Sequence, residues 1–248
     1  LATHPYYENG WSRKTVYPWM GFDKKIFLDD YPQENLIREY VSDREMFETV
    51  LDILKQNQGK PLFCFGITMQ NHGGYTYAGE NWSNSISLEG YTQNYPQVEQ
   101  YLSLIHETDK AMEYFITALE EYPEDTIVLF FGDHLPKVEP EWYDEIGIDI
   151  QDDLTRHMMQ HTVPFYIWAN YDIIEEKTDI TSINYLAGYL LEVAGLGETP
   201  YYNAVSDIRK AIPAINAFGF YSTDSGCFLS FDKASEEERE WLQKYKNL

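Results

Sequence analysis

Cysteine is nearly absent: Cys64 and Cys227 are the only two in 248 residues, and they stand in no CxxC spacing. A zinc-thiolate site or a disulfide scaffold therefore cannot organise this fold. Cys64 lies inside the apolar run PLFCFGITM and reads as a small core residue, and one possible pair does not fix the redox compartment. Long hydrophobic runs are missing too. None approaches the roughly 20 residues that a membrane-spanning helix needs, and the start LATHPYYENG has the pattern of neither a signal nor a transit peptide. The stretch is expected to be soluble by itself, or to be a piece of something longer. Positive charge is scarce: 18 basic against 41 acidic residues leave a formal charge of −23. Such a surface repels nucleic-acid backbones and anionic membranes at long range and favours cations, so nucleic acid is not expected as a partner. No GxSxG elbow, Walker loop, HExxH or strand-led GxGxxG occurs, which removes common serine hydrolases, P-loop enzymes, zincins and dinucleotide oxidoreductases.

What is present is a folded domain. Aromatics make up 16% of the chain, 21 of them tyrosine, far too much sticky surface for a solvated acidic tail. Helix and strand patterns alternate. SDREMFETVLDILKQNQGK opens with Ser42 and Glu45 in capping-box spacing, carries Met46, Val50 and Ile53 on one stripe and closes near Gly59. The strand run PLFCFGITM follows at once. From Gln97 to about Tyr122, the residues Val98, Leu102, Ile105, Met112, Ile116 and Leu119 mark a second helical face, before the strand run TIVLFFG. VPFYIWAN (163–170) is a third apolar strand-length run. INYLAGYLLEVAG (183–195) is a later helix with Ser182 at its cap and Gly195 at its exit, and SEEEREWLQKYKNL ends the chain as a helix with acids first and lysines last. Strands apolar on both faces, alternating with amphipathic helices, predict an α/β fold with a mostly parallel sheet covered on both sides. Residues 73–96, polar and aromatic, read as a surface loop or lid.

Ligands in such sheets collect beyond the carboxyl ends of strands, and two of those ends are chemically loaded. After LFFG come Asp133 and His134; a carboxylate with a neutral imidazole suits a divalent ion, with Gly132 freeing the chain so that both side chains aim one way. The alternative is a loop cap beside a satisfied histidine, and two ligands are fewer than a catalytic ion needs. After GITMQ come Asn71, His72, Gly73 and Gly74, where His72 is either a phosphate or sulfate contact, a general acid, or a turn histidine. His4, Trp11 and Arg13 make either an anion and polyol pocket or an aromatic cluster packed on the domain. Asp109 falls on the inward stripe between Ile105 and Met112, which predicts a buried carboxylate with a structural partner. His106, His157 and His161 have no comparable context.

Together FFGDHLP, GITMQNHGGY, HPY…GWSR…VY…GFD and PFYIWANYD resemble, in order along nearly the whole chain, the sulfatase-type domain of the lipoteichoic acid synthase family, in the alkaline phosphatase superfamily. The resemblance implies an α/β/α sandwich and one phosphotransferase domain over 1–248. It also implies transfer of glycerol phosphate from a phosphatidylglycerol-type lipid to a growing glycerol phosphate polymer, through a phospho-threonine. The divalent metal it implies is manganese, with magnesium and zinc as alternatives, and the place of action is the extracellular face of the cell membrane, reached through membrane segments outside these 248 residues. By the same resemblance Asp133 and His134 are metal ligands, and His4, Trp11, Arg13 and His72 bind substrate. The family's acid two residues after the first of these histidines is Tyr6 here. The family's metal-binding glutamate and nucleophilic threonine have no match in this stretch, since Thr68 belongs to a different motif; they are expected before Leu1, leaving the stretch incompetent alone. Sulfatases and phosphoethanolamine transferases of the same superfamily are the enzymatic alternatives. A non-catalytic extracellular module that binds glycerol phosphate or carbohydrate is the alternative of another class.

Overall fold

The first residues of the chain form the centre of a sheet. In the computed structural model, which describes residues 1–147, 153–197 and 199–248, β1 (Ala2–Thr3) is followed by α1 (Arg13–Trp19) and then by β2 (Lys25–Ile26). A small antiparallel hairpin, β3 (Leu36–Ile37) and β4 (Tyr40–Val41), leads into α2 (Asp43–Gln56) and β5 (Phe65–Gly66). The sheet order is β2-β1-β5, and both pairings are parallel: Ala2 is opposite Lys25 and Phe65, and Thr3 is opposite Ile26 and Gly66. The long helix α3 (Pro96–Glu120) and the short α4 (Pro140–Glu145) complete this unit, which comprises Leu1–Glu124 and Pro136–Gly147.

Alternation along β5 sorts the layers. Neighbouring residues on a strand face opposite ways. The Phe65 ring meets Tyr17 of α1 at 6.5 Å between centroids, while a Cβ built on Gly66 would lie 2.5 Å from the Met46 Cε of α2. Helices thus cover both faces of this sheet, as expected for an α/β sandwich, and Gly66 lets the end of the Met46 side chain approach the strand closely. Ser42 caps α2 by accepting from the Glu45 amide at 3.1 Å, and Met46, Val50 and Ile53 are buried as the periodicity predicts. Phe47 of α2 stacks on Phe115 of α3, 4.7 Å between centroids, burying two rings worth roughly 2–3 kcal/mol each.

The stripe on α3 differs from the sequence reading. Ile105 is 38% exposed and Asp109 is exposed, whereas Val98, Leu104, Ala111, Met112, Phe115 and Leu119 are buried. The polar residues Gln100, Ser103 and Thr108 share that inward face. They are tolerated because each is hydrogen-bonded. Gln100 exchanges two bonds with the backbone of Tyr77, and the Ser103 hydroxyl accepts from the amides of Ser85 and Ile86. Residues 73–96 are thus a pinned loop rather than a loose lid. The helix entrance, which lacks a sequence cap, is capped from a distance: the Glu139 carboxylate accepts from the Gln97 and Val98 amides.

The second unit comprises Asp125–Leu135 and Ile148–Leu248. β6 (Ile127–Phe131) pairs with β7 (Phe165–Ala169), Ile127 opposite Ala169 and Phe131 opposite Phe165. This pairing is antiparallel, although both runs read equally well as parallel strands, because apolar faces on both sides do not encode direction. α5 (Asp153–Gln160) lies between them in sequence, and α6 (Leu186–Val193), α7 (Pro200–Ala211), the hairpin β8 (Phe220–Ser222) and β9 (Cys227–Leu229), and α8 (Glu236–Lys246) follow. The core here gathers Tyr185, Val205, Ile208, Ile212, Phe220 and Ala234. Gly195 leaves α6 at φ +65°, as the exit glycine predicts, and Ser235 with Glu238 caps α8 reciprocally. Ser182 does not cap its helix; its hydroxyl instead holds both backbone groups of Ile215. No helix among the described residues is long and apolar enough to cross a membrane.

Candidate functional site

His4 is the first residue beyond β1, the middle strand of the parallel sheet. Its amide continues the ladder to the Ile26 carbonyl at 3.0 Å, and the Ile67 amide beyond β5 donates to the Thr3 carbonyl at 3.0 Å. Side chain and strand end are then locked together: His4 Nδ1 donates to the Ile67 carbonyl at 2.9 Å. The carbonyl must accept, so Nδ1 carries the proton and Nε2 keeps its lone pair. His4 is only 3% exposed. Burial lowers its pKa; the bond to Ile67 opposes this, and the charges of Arg13 and His72 lower it further. At neutral pH the ring is therefore neutral, an acceptor for a hydroxyl rather than a cation for an anion.

The same electrostatics place three sequence candidates together, since Arg13 and His72 both lie near enough for their charges to act on His4. Arg13 is buried at the start of α1, and its Nη1 donates to the Gly10 carbonyl at 3.1 Å. A Cβ on Gly10 would fall 2.8 Å from that same Nη1, so only glycine leaves the guanidinium its place. His72 is exposed in the turn after β5, its ring 5.9 Å from that of Tyr40. A chain of rings runs from His4 to Tyr6 (6.0 Å), Tyr40 (6.5 Å) and His72. Trp11 is not packed into this group. It is 88% exposed and held at φ 53°, with Ser12 at φ 55° behind it. Left-handed backbone at a non-glycine residue costs about 1–2 kcal/mol, and here it presents an indole to solvent.

Two residues escape sequence reasoning. Arg38, in the two-residue turn between β3 and β4, is 4% exposed and sits at φ 57°. Its Nη2 donates to the carbonyls of Gln70 (2.7 Å) and His72 (2.9 Å), and its Nη1 to that of Gly74 (3.4 Å). A turn position that ordinarily calls for Gly or Asn carries no hint of this role. Asp43, the first residue of α2, is 1% exposed and accepts from the Thr108 hydroxyl at 2.7 Å through Oδ2, while Oδ1 has no hydrogen-bond partner. Asn71 Nδ2 bonds the same Thr108 oxygen at 2.7 Å, and Gln70 Oε1 accepts from the Asp43 amide. Burial pushes the Asp43 carboxyl up to about 6. Thr108, not Asp109, is the polar residue α3 turns inward.

In the second unit, Asp133 and His134 follow β6. Gly132 does not free the chain there: its amide still bonds the Pro164 carbonyl at 3.1 Å, and a Cβ would fall 3.0 Å from Val163 Cβ, so its role is close approach. The turn comes one residue later. Both side chains are open to solvent, and His134 Nε2 lies 3.5 Å from Asp133 Oδ2. His134 Nδ1 faces the Leu135 carbonyl at 2.9 Å, which assigns the proton to Nδ1 and leaves Nε2 free to ligate. Two ligand atoms each about 2.1 Å from a tetrahedral ion stand about 3.4 Å apart, so this pair fits one edge of such a shell. No group of three His, Cys, Asp or Glu among the described residues could hold a metal ion, and the pair by itself offers fewer ligands than a catalytic ion takes.

Comparison with known proteins identifies the family and the fold. The model of the Sulfatase family matches residues 1–196. A Rhizobium meliloti protein named for cyclic beta-1,2-glucan modification is 26% identical over 211 residues, covering 81% of this chain and 32% of its own length. Lipoteichoic acid synthase 1 of Bacillus subtilis is 29% identical over 140 residues, covering 53% of this chain and 20% of its own. The chain thus spans a third or less of these relatives. Among solved structures, the Streptococcus pyogenes phosphoglycerol transferase GacH, in complex with sn-glycerol-1-phosphate, superposes with a TM-score of 0.74 at 22% identity, over 99% of this chain and 59% of that one. The lipoteichoic acid synthase LtaP of Listeria monocytogenes gives 0.65 at 16%, over 99% and 67%. At these identities the superpositions establish the fold alone, which is shared with a Vibrio parahaemolyticus protein of the alkaline phosphatase superfamily at a TM-score of 0.64 and 16% identity.

Proposed function

This chain belongs to the Sulfatase family, and from that premise we propose that it is part of the catalytic domain of a metal-dependent phosphoglycerol transferase of the lipoteichoic acid synthase type. The observation that carries the reading is the grouping of His4, Arg13 and His72 at the carboxyl end of β1. Arg13 and His72 offset phosphate charge, and neutral His4 accepts a polyol hydroxyl through Nε2. Glycerol phosphate offers both chemistries in one headgroup, and a phosphatidylglycerol-type lipid carries it. Transfer to a glycerol phosphate polymer at the outer face of the membrane is the corresponding reaction. The Listeria and Bacillus relatives bear that synthase name, and the Streptococcus structure holds glycerol phosphate.

Asp133 and His134 are proposed to hold the divalent ion, manganese before magnesium or zinc, through Oδ2 and Nε2. When bound, such an ion polarises phosphoryl oxygens and activates a nucleophile. The chain's own residues bind and orient the headgroup. Tyr6 stands where the resembled family places an acid, and exposed Tyr7 and Trp11 stand near it in sequence. Such rings suit the face of a sugar, and a glycan acceptor is the second reading; the name of the Rhizobium relative favours it.

The test is turnover of phosphatidylglycerol by the intact enzyme containing this chain, in manganese, with Arg13→Ala and His72→Ala alongside. Loss of glycerol phosphate release in both variants is expected. Unchanged release in either would overturn the reading, and release supported only by a soluble glycan acceptor would select the second one.

A further inference from the structure

His72 is placed mainly by its backbone. Its imidazole makes no hydrogen bond to a described residue and meets only the Tyr40 ring at 5.9 Å, its ring is exposed, and its amide bonds the Met69 carbonyl at 3.0 Å. What holds the rest of the turn is Arg38. One guanidinium takes three carbonyls out of five consecutive residues, those of Gln70, His72 and Gly74. The cost of this arrangement is high. A cation 4% exposed has no carboxylate among the described residues within ion-pair distance; the faces of Tyr40 and Tyr75 lie 5.4 and 5.8 Å from Cζ, and the charge of neighbouring Glu39 acts on it. Its Nε has no partner, and its backbone is left-handed. A glycine at position 38 would relieve the backbone and the desolvation together.

Two further bonds converge on the same turn from the other side. Asn71 and Gln70 reach Thr108, which donates to Asp43, so the residues before His72 are tied to α2 and α3. The Asn71 carbonyl accepts from the Tyr75 hydroxyl at 2.9 Å, and the carbonyls of Gln70, His72 and Gly74 are left to Arg38. The hairpin that carries Arg38 is itself steadied by Asn81, whose Nδ2 donates to the Arg38 carbonyl at 2.8 Å.

We propose that Arg38 is the positioning residue for His72: it holds the turn through three carbonyls so that an imidazole without side-chain ties stands ready for a phosphate oxygen. The inference rests on the reading of His72 as a phosphate contact. Arginine is needed because its planar fork serves several acceptors at once, whereas a lysine ammonium on a flexible stem does not hold three carbonyls in fixed directions. Arg38 touches no substrate in this scheme and acts only through His72.

The imidazole resonances of this chain, followed by NMR, test the proposal without any ligand. In Arg38→Lys and Arg38→Met the His72 signal is expected to move to the position of an unstructured histidine, while the His106 signal on α3 stays in place. Titration with inorganic phosphate then reads function. Arg38→Met is expected to weaken the phosphate response about tenfold, and the double variant with His72→Ala is expected to be no weaker than His72→Ala alone. An unmoved His72 signal in both variants overturns the proposal, as do losses that multiply independently. Arg38→Lys keeps the cation and decides the matter where Arg38→Met does not fold. A wild-type His72 signal that ignores phosphate overturns the phosphate reading instead, and the ligand-free signal still decides the clamp.

Discussion

His4 Nδ1 donates to the carbonyl of Ile67 at 2.9 Å, so that one imidazole fastens the end of β1 to the end of β5. Replacing His4 with alanine removes this tie and leaves a carbonyl unpaired, and a loss of about 1–3 kcal/mol is expected in urea unfolding. Because burial lowers the His4 pKa below its ordinary 6.5, the unfolded chain binds more protons near that value. The contribution of neutral His4 is full above about 6.5 and is lost as pH falls below it. His4→Asn, which keeps a donor near the same place, should show a flatter stability profile between pH 7 and pH 5.

Asp43 works in the opposite sense. Its folded pKa of about 6 lies above the ordinary 3.8, so the folded chain binds more protons between these values and stability falls as pH rises through that window. Asp43→Asn keeps an oxygen for Thr108 and removes the buried charge. The variant should exceed the wild type by about 1–3 kcal/mol above pH 6, with the difference vanishing below pH 4. Equal stabilities at pH 7.5 would contradict this account.

Gly10→Ala separates position from stability. The Cβ would press on the end of a flexible arginine, so thermal unfolding should change little, yet Arg13 must leave the Gly10 carbonyl. Glycerol phosphate binding to the intact enzyme is expected to weaken about as much as in Arg13→Ala. A normal affinity would show that Arg13 tolerates displacement.

Metal affinity tests the Asp133–His134 pair. If the proposed pair holds the ion, Asp133→Ala or His134→Ala in the intact enzyme should lower manganese affinity by at least about 100-fold, because each would remove a direct ligand rather than an outer partner, for which 10- to 100-fold is typical. The 248-residue chain by itself should bind manganese weakly and release no glycerol phosphate. Turnover by the purified chain would sink the half-site description.

The two thiols should differ in reactivity. Burial pushes the Cys64 thiol up to about 11, whereas Cys227 is exposed on β9. At pH 8 an alkylating reagent is expected to modify one cysteine per folded chain, and mass analysis should place the label on Cys227. Rapid double labelling would mean that the sheet opens around Cys64.

Much of this protein is legible in local pattern. Apolar runs locate β6 and β7, the Ser-x-x-Glu spacing with its apolar stripe locates α2, and the order of acids and lysines locates α8, since these patterns act over a few residues. The placement of loaded residues after strands likewise follows from the α/β pattern, and His72, Asp133 and His134 are found there, whereas the strand before His4 is seen only in the structure. The stripe on α3 was misread at Ile105 and Asp109 because Gln100, Ser103 and Thr108 are buried only by virtue of partners far away in sequence.

By itself, then, the sequence determined the fold class and the strand-end positions of His72, Asp133 and His134, which depend on short-range spacing, and the order of its motifs carried the family resemblance. Only the tertiary structure decided that β6 and β7 run antiparallel, that His4 is neutral with Nε2 open, that Trp11 stands in solvent, and that Arg38 holds the turn of His72. These depend on burial and on hydrogen bonds closed across tens of residues, and no local spacing encodes which carbonyl a distant guanidinium will find.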